Sequence, residues 1–325
     1  MESATHFTLA QLDEAAELVY AVVSPTPQYR WPQLEQRAGA ELWLKHENHT
    51  QVGAFKIRGG IVYMRHLKEM CPALSGVITA TRGNHGQSVA LSARTNGFSA
   101  TIVVPHGNSV EKNAAMLALG AELIEFGQDF QASREHAEHL SRDRGLHFVP
   151  SFHEDLVRGV ASYALEFLRN TPQLERVYVP IGMGSAVCAM IAARDALGLQ
   201  TKIVGVVAKN APAYALSFRE RSVVTTETSE TVADGMACRT PDDGALQIML
   251  RGLERVVTVG DDEITNAMSV LFSDTHNAVE GAGAASLAAV LREAPHAKKS
   301  RIGAVITGGN VDSQTFASVL STAPQ

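Results

Sequence analysis

The sequence predicts an α/β fold of two layered lobes, each a mainly parallel sheet flanked by helices, with a cleft between them. Three observations predict it. Short apolar or β-branched runs recur at Gly76–Ala80, Ala100–Val104, Val177–Pro180, Lys202–Val207 and Arg301–Ile306. An unbroken apolar run of this length suits a strand buried on both faces. Helical patterns fill the intervals, at Gln87–Arg94, Glu111–Leu119, Phe130–Arg144, Val187–Ala196 and Asp262–Thr275, and alternation of the two is the mark of parallel α/β layers. The alternation falls into two series, one over residues 76–147 and one from 176 onward, hence two lobes. The polar stretch Arg219–Pro241 has no clear period and is expected to be an irregular excursion over the surface or the cleft. No internal repeat, low-complexity tract or long linker is visible.

Composition excludes several classes. The chain has 325 residues, 45% hydrophobic and 19% charged, enough for one large or two modest domains. Its net charge is −6 and its basic residues are scattered, so no nucleic-acid partner is expected. The start, MESATHFTLAQLDEAAELVY, carries acids and lacks the apolar core of a signal peptide. No window approaches the roughly 18–20 apolar residues of a membrane helix. Cys71, Cys188 and Cys238 are widely spaced and suit reduced thiols in a cytoplasm, not a disulfide framework or a zinc site.

In an open parallel sheet, ligands gather where strands end and loops lead into helices. Three such loops carry unusual residues. Thr81-Arg82-Gly83-Asn84-His85-Gly86-Gln87 follows the first strand, and its glycine, polar side chains and helix start make an anion cradle. Ile181-Gly182-Met183-Gly184-Ser185-Ala186 follows Val177–Pro180, and its glycines allow close backbone approach to a ligand. Thr307-Gly308-Gly309-Asn310 follows the last strand. Singly these are weak signals, because a lone Gly-x-Gly is as often a tight turn. A nicotinamide cofactor is not expected: the third glycine is missing, and Val206-Val207 ends the next strand without an acid for a ribose.

A fourth segment decides between them. Lys45-His46-Glu47-Asn48-His49-Thr50-Gln51-Val52-Gly53-Ala54-Phe55-Lys56-Ile57-Arg58-Gly59-Gly60 resembles the cofactor-lysine segment of fold-type II pyridoxal-phosphate enzymes, in the threonine/serine dehydratase and serine racemase branch. The order continues with the Gly-Asn-His-Gly-Gln loop, the glycine loop, Val279-Glu280-Gly281-Ala282-Gly283 and the tail Gly308–Asp312, so the resemblance spans nearly the whole chain from Ser24-Pro25-Thr26-Pro27. It implies a two-lobed fold like the tryptophan synthase β chain, with a large cofactor-binding domain at residues 1–71 and 148–325 and a small mobile domain at 72–147. It also implies pyridoxal 5'-phosphate as cofactor, held by Lys56 as an internal Schiff base. The phosphate would sit on Gly182, Met183, Gly184, Ser185 and Ala186. Met183 and Ser185 replace two of the four glycines common there, so this loop should be less permissive. Asn84 would bond the ring hydroxyl oxygen, Phe55 would pack near the ring face, and Thr307 would face the pyridine nitrogen. Thr81, Asn84 and His85 would gather the substrate carboxylate, with Arg82 beside them.

The chemistry fits these residue types. A lysine amine must lose its proton to join an aldehyde, which Lys56 would gain from neighbouring cations and a dry cleft. A hydroxyl at Thr307 does not enforce a protonated ring as an aspartate would, which favours loss of a β-substituent over transamination. Lys56 would take the α-proton as general base, the β-hydroxyl would leave as water, and a 2-oxo acid and ammonia would be released. The resemblance thus implies a hydroxy-amino-acid ammonia-lyase acting on L-threonine, L-serine or a relative. A serine racemase is the alternative, and a non-catalytic cofactor-binding protein a further one.

Departures from the family pattern refine this. The racemase pattern has a serine at Arg82, and an arginine is a poor proton acceptor, which argues for dehydration. Arg82 would instead salt-bridge across the lobes, read a distal substrate group or stay solvated. Val207 and Ala213 stand at the positions of the family's divalent-cation carboxylates, with Lys209 between them, so no metal is expected. No length remains for a regulatory domain, so feedback by isoleucine is not expected. The side-chain pocket should involve Ser151–Val160 and Ala233–Ala237. His153-Glu154-Asp155-Leu156 replaces an acidic, proline-containing run usual in related dehydratases. With Met183 and Arg82, this hints at a larger β-hydroxy amino acid such as phenylserine, or at 3-hydroxyaspartate. A homodimer is common in the family.

Overall fold

The structure is a computed structural model that describes residues 5–293 and 300–322. Among the described residues ten strands form two sheets: β1 (Gln28–Arg30), β2 (Glu41–His46), β3 (Gly76–Ala80), β4 (Ser99–Val104), β5 (Glu122–Glu125), β6 (His147–Phe148), β7 (Arg176–Pro180), β8 (Lys202–Ala208), β9 (Arg255–Val259) and β10 (Arg301–Ile306). The larger sheet has the order β1-β2-β10-β7-β8-β9 and the smaller β5-β4-β3-β6. Every pairing is parallel except that of the short edge strand β1 with β2.

The apolar runs of the sequence occupy the sheet interiors. All five residues of β3 are buried, as are all but the first of β8 and of β10. Edge strands β1 and β5 are half-exposed and carry mixed residues, and for that reason have no such run to betray them, while β9 carries a β-branched run but is half-buried at the sheet edge. Helices Glu154–Arg169, Ser185–Ala196 and Gly281–Glu293 pack the larger sheet into one continuous apolar core, while Val77, Ile102 and Val104 belong to a second core under the smaller sheet. Between Glu220 and Asp243 the only regular element is a short 3-10 turn at Asp234–Met236, in keeping with the expected excursion.

Candidate active site

Three adjacent strands of the larger sheet deliver the floor of the cleft. The order β2-β10-β7 and their common direction bring three loops side by side at the carboxyl ends. β2 runs on to the Lys56 segment, β10 to Thr307 and β7 to Gly182–Ala186. Across the cleft, β3 of the smaller sheet ends at Thr81–His85.

Lys56 is the first residue of the helix Lys56–Met70. The loop before it is stitched to the C-terminal segment: Ala54 bridges Gly308, the Phe55 N–H donates to the Thr307 carbonyl at 3.1 Å, and the Gly309 N–H donates to the Gly53 carbonyl at 2.9 Å. From the smaller lobe, Ser88 Oγ donates to the Lys56 carbonyl at 2.7 Å. Burial lowers the Lys56 amine from its usual 10.5 to about 8, and the Glu280 carboxylate pulls the other way. The expected help from neighbouring cations is therefore not what lowers it; removal from water is. Phe55 is buried against Tyr163, with ring centroids 6.4 Å apart, and also lines the pocket.

The glycine loop is shaped by close packing. A Cβ on Gly182 would meet the Gly235 carbonyl oxygen at 2.2 Å. Gly184 has φ of +102° and caps the helix Ser185–Ala196 without a side-chain bond. The first N–H groups of that helix thus stay open to an anion. Met183 and Ser185 are accommodated by this geometry, Met183 through its carbonyl, which accepts from Tyr214 at 3.0 Å.

On the smaller lobe, Thr81 Oγ1 accepts from the Gly83 N–H at 2.9 Å. The Asn84 amide is held at both ends. Its nitrogen donates to Glu280 Oε1 at 2.7 Å, and its oxygen accepts from Asn310 at 2.8 Å. His85 is buried; burial, with Lys56 nearby, lowers its imidazole to about 3, so it is neutral at pH 7. Its Nε2 has no partner among the described residues. Arg82 is exposed on the pocket wall and makes no ion pair within the described residues, so the salt bridge across the lobes is not formed.

Thr81, Arg82, Asn84 and His85 thus meet Lys56 and Met183 around one pocket, and Phe55, Gly182, Gly184, Ser185, Ala186 and Thr307 line its continuation past Lys56. Ser151, Asp234, Gly235 and Ala237 complete the first pocket, so both stretches expected at the substrate side chain contribute to it. Sequence reasoning gave no role to Glu280 or Lys112, and Asp234 only as part of the stretch Ala233–Ala237. Glu280 stood inside a motif already singled out, whereas Lys112 looked like any helix lysine. No group of three or more His, Cys, Asp or Glu side chains among the described residues is arranged to hold a metal ion.

An open helix N-terminus behind Gly184, a lysine lowered by burial, a buried hydroxyl at Thr307, and Glu280 Oε2 and His85 Nε2, which have no hydrogen bond among the described residues, form a set of polar groups suited to a phosphorylated aldehyde. The comparisons agree with that fit. The sequence profile of the family described as pyridoxal-phosphate dependent enzyme matches residues 19–308. The chain is 33% identical to an L-threonine ammonia-lyase of Thermotoga maritima over 94% of its own length and 76% of the relative's. It is 29% identical to an L-threo-3-hydroxyaspartate ammonia-lyase of Saccharomyces cerevisiae over 97% and 96%. The structure of the processed form of threonine deaminase isoform 2 from Solanum lycopersicum superposes with a TM-score of 0.89 at 28% identity, covering 98% of this chain and 95% of that one.

Proposed function

Because this chain belongs to the pyridoxal-phosphate dependent enzymes, we propose that it is a dehydratase that removes water and then ammonia from a β-hydroxy-α-amino acid to release a 2-oxo acid. The observation that carries this is Lys56, an amine lowered to about 8 in a pocket it shares with Asn84, the glycine loop and Thr307. Pyridoxal 5'-phosphate, the cofactor of the family, supplies the electron sink that makes an α-proton removable. Lys56 takes that proton as general base. The N–H groups behind Gly184, with Gly182, Met183, Ser185 and Ala186, hold the phosphate. With the cofactor bound, Asn84 would hold the ring hydroxyl oxygen, Phe55 would pack beside the ring, and Thr307 would meet the ring nitrogen without forcing a charge onto it. Thr81, Asn84 and His85 gather the substrate carboxylate. An arginine at position 82 is a poor proton acceptor for a second base, which weighs against racemization. Residues 72–147 act as the small mobile domain over 1–71 and 148–325.

Side-chain specificity follows from the outer wall. Phe130, Met183, Ala237 and Cys238 line both the substrate pocket and an adjoining cavity whose other walls, among them Asp129, Gln131 and Arg134, are polar. An apolar wall there supports a large or aryl substituent such as that of phenylserine. Arg82, on the same wall and without an ion pair among the described residues, supports 3-hydroxyaspartate as the second reading, with the guanidinium pairing the distal carboxylate. The test is oxo-acid and ammonia release over L- and D-serine, L-threonine, phenylserine and hydroxyaspartate. Interconversion of serine enantiomers without ammonia, or no turnover of any of the five, overturns the dehydratase.

A further inference from the structure

Lys112 crosses the cleft. It lies on the helix Val110–Ala118 of the smaller lobe, and its ammonium stands 2.5 Å from Asp234 Oδ2 and 3.8 Å from Glu280 Oε2, both on the larger lobe. Its stem lies over Gly83, where a Cβ would come within 2.5 Å of Lys112 Cδ. Glu280 accepts the Asn84 amide with its other oxygen at 2.7 Å, and its Oε2 has no hydrogen bond among the described residues. Two groups of the smaller lobe, Asn84 and Lys112, thus grip one buried carboxylate of the larger. Glu111 and Ser313 close the same seam at 2.5 Å, and Ser109 bonds Asp312 beside them.

We propose that Lys112 is a positioning residue which, by crossing onto Asp234 and Glu280, couples closure of the smaller lobe to the hold of Glu280 on Asn84. The inference rests on the reading of Asn84 as the group that faces the cofactor. Burial raises the Glu280 carboxyl from the usual carboxylate range toward neutrality; Lys112 lowers it, Asp234 raises it, and the Asn84 bond and Lys56 lower it. Lys112 itself is held charged, because Glu280 and Asp234 more than offset its burial, with Asp312 adding to them. The ionised carboxylate is the form that attracts Lys112 and accepts most strongly from Asn84. Ionisation of Glu280 and closure therefore favour one another, and the coupling is reciprocal.

The two partners of Lys112 make the idea testable by sign. Lys112→Met removes the cation, so Glu280 should titrate higher. Asp234→Asn removes the opposing anion and leaves Lys112 to Glu280 alone, so Glu280 should titrate lower. Proximity alone gives those two signs, so coupling is read in the exchange: protection over residues 110–118 should fall as Glu280 takes up its proton in the parent and not depend on pH in Glu280→Gln, and pH-independent protection in the parent overturns the coupling. The titration is read on the holoenzyme by infrared difference spectroscopy of the carboxyl stretch, with Glu280→Gln assigning the band. The pH dependence of the bound-cofactor absorbance and hydrogen exchange over residues 110–118 accompany it. Midpoint shifts of about one unit in opposite directions are expected, about tenfold in proton affinity each, with Lys112→Arg close to the parent. Lys112→Gln replaces the Met variant if that one does not fold. Shifts of one sign in both variants, no shift in either, or no rescue by Arg overturn the proposal. Opposite shifts in a protein that releases no oxo acid would overturn the dehydratase reading and leave the coupling standing.

Discussion

Two clusters of charge flank Lys56 and are finished differently. Behind it, inside the larger lobe, Arg58 donates to Glu47 at 2.7 Å and to Glu166 at 2.6 Å, while Lys45 donates to Glu166 at 2.5 Å and to the Thr26 carbonyl at 2.8 Å. Arg58, Lys45 and Glu47 are wholly buried, and each engages more than one partner. In front, around the cleft, Glu280 Oε2 and His85 Nε2 are buried without a hydrogen bond among the described residues. A buried polar group left unpaired costs about 1–3 kcal/mol. A completed network holds a helix start in place, whereas an incomplete one is tolerated where a ligand supplies the missing partners. The first kind fixes where Lys56 stands; the second fits what Lys56 works on.

The sharpest way to break this contrast is at the residue between the clusters. Lys56→Ala should reduce oxo-acid release by about 10³-fold or more and abolish the lysine-linked cofactor absorbance. Turnover within tenfold of the parent would remove Lys56 from the chemistry. The clusters should then separate in stability. Arg58→Met strands two buried carboxylates and should cost about 3–5 kcal/mol in urea unfolding of the apo chain. Glu280→Gln keeps an acceptor for Asn84 and relieves a buried charge, and should cost no more than about 1 kcal/mol. Equal losses in the two variants would erase the distinction. Gly182→Ala drives a Cβ onto a backbone carbonyl that cannot swing aside. It should weaken cofactor binding by about tenfold, or about 1.4 kcal/mol, measured by equilibrium titration.

The smallest effect concerns pH. The rate at which the apo chain takes up pyridoxal 5'-phosphate should rise with pH and level off near the Lys56 value of about 8, not near 10.5. The same shift acts on stability. Between about 8 and 10.5 the unfolded chain holds a proton on Lys56 that the folded chain has released, so apo stability should increase with pH across that window and lose this contribution below it. Uptake still climbing above pH 10 would show the amine to be solvated.

Much of this was legible from residue order. The central strands announced themselves because burial on both faces demands an uninterrupted apolar run, and β3, β8 and β10 have one. β9, Arg255–Val259, has the residues of a strand but sits half-exposed at the sheet edge, where nothing in the local pattern requires them to be continuous with the rest. The helix Lys56–Met70 is hidden by the Gly59-Gly60 pair in its first two turns, where a helix former would be expected. Those turns are built for packing: a Cβ on Gly59 would meet the Leu156 carbonyl oxygen at 2.7 Å, and Arg58 completes the buried cluster.

Fold class could be read from the buried-strand runs, and family and cofactor from the resemblance carried by contiguous motifs such as Lys45–Gly60, because each lies in residues close together along the chain. Tertiary structure decided which charges meet in the cleft. Lys112 and Asp234 lie 122 residues apart, on different lobes, and neither sits in a motif. They reach Glu280 only because the strand order places their loops on facing rims of one cleft. The same arrangement decided that burial, not a neighbouring cation, lowers Lys56, since the depth of a side chain is a property of everything packed around it.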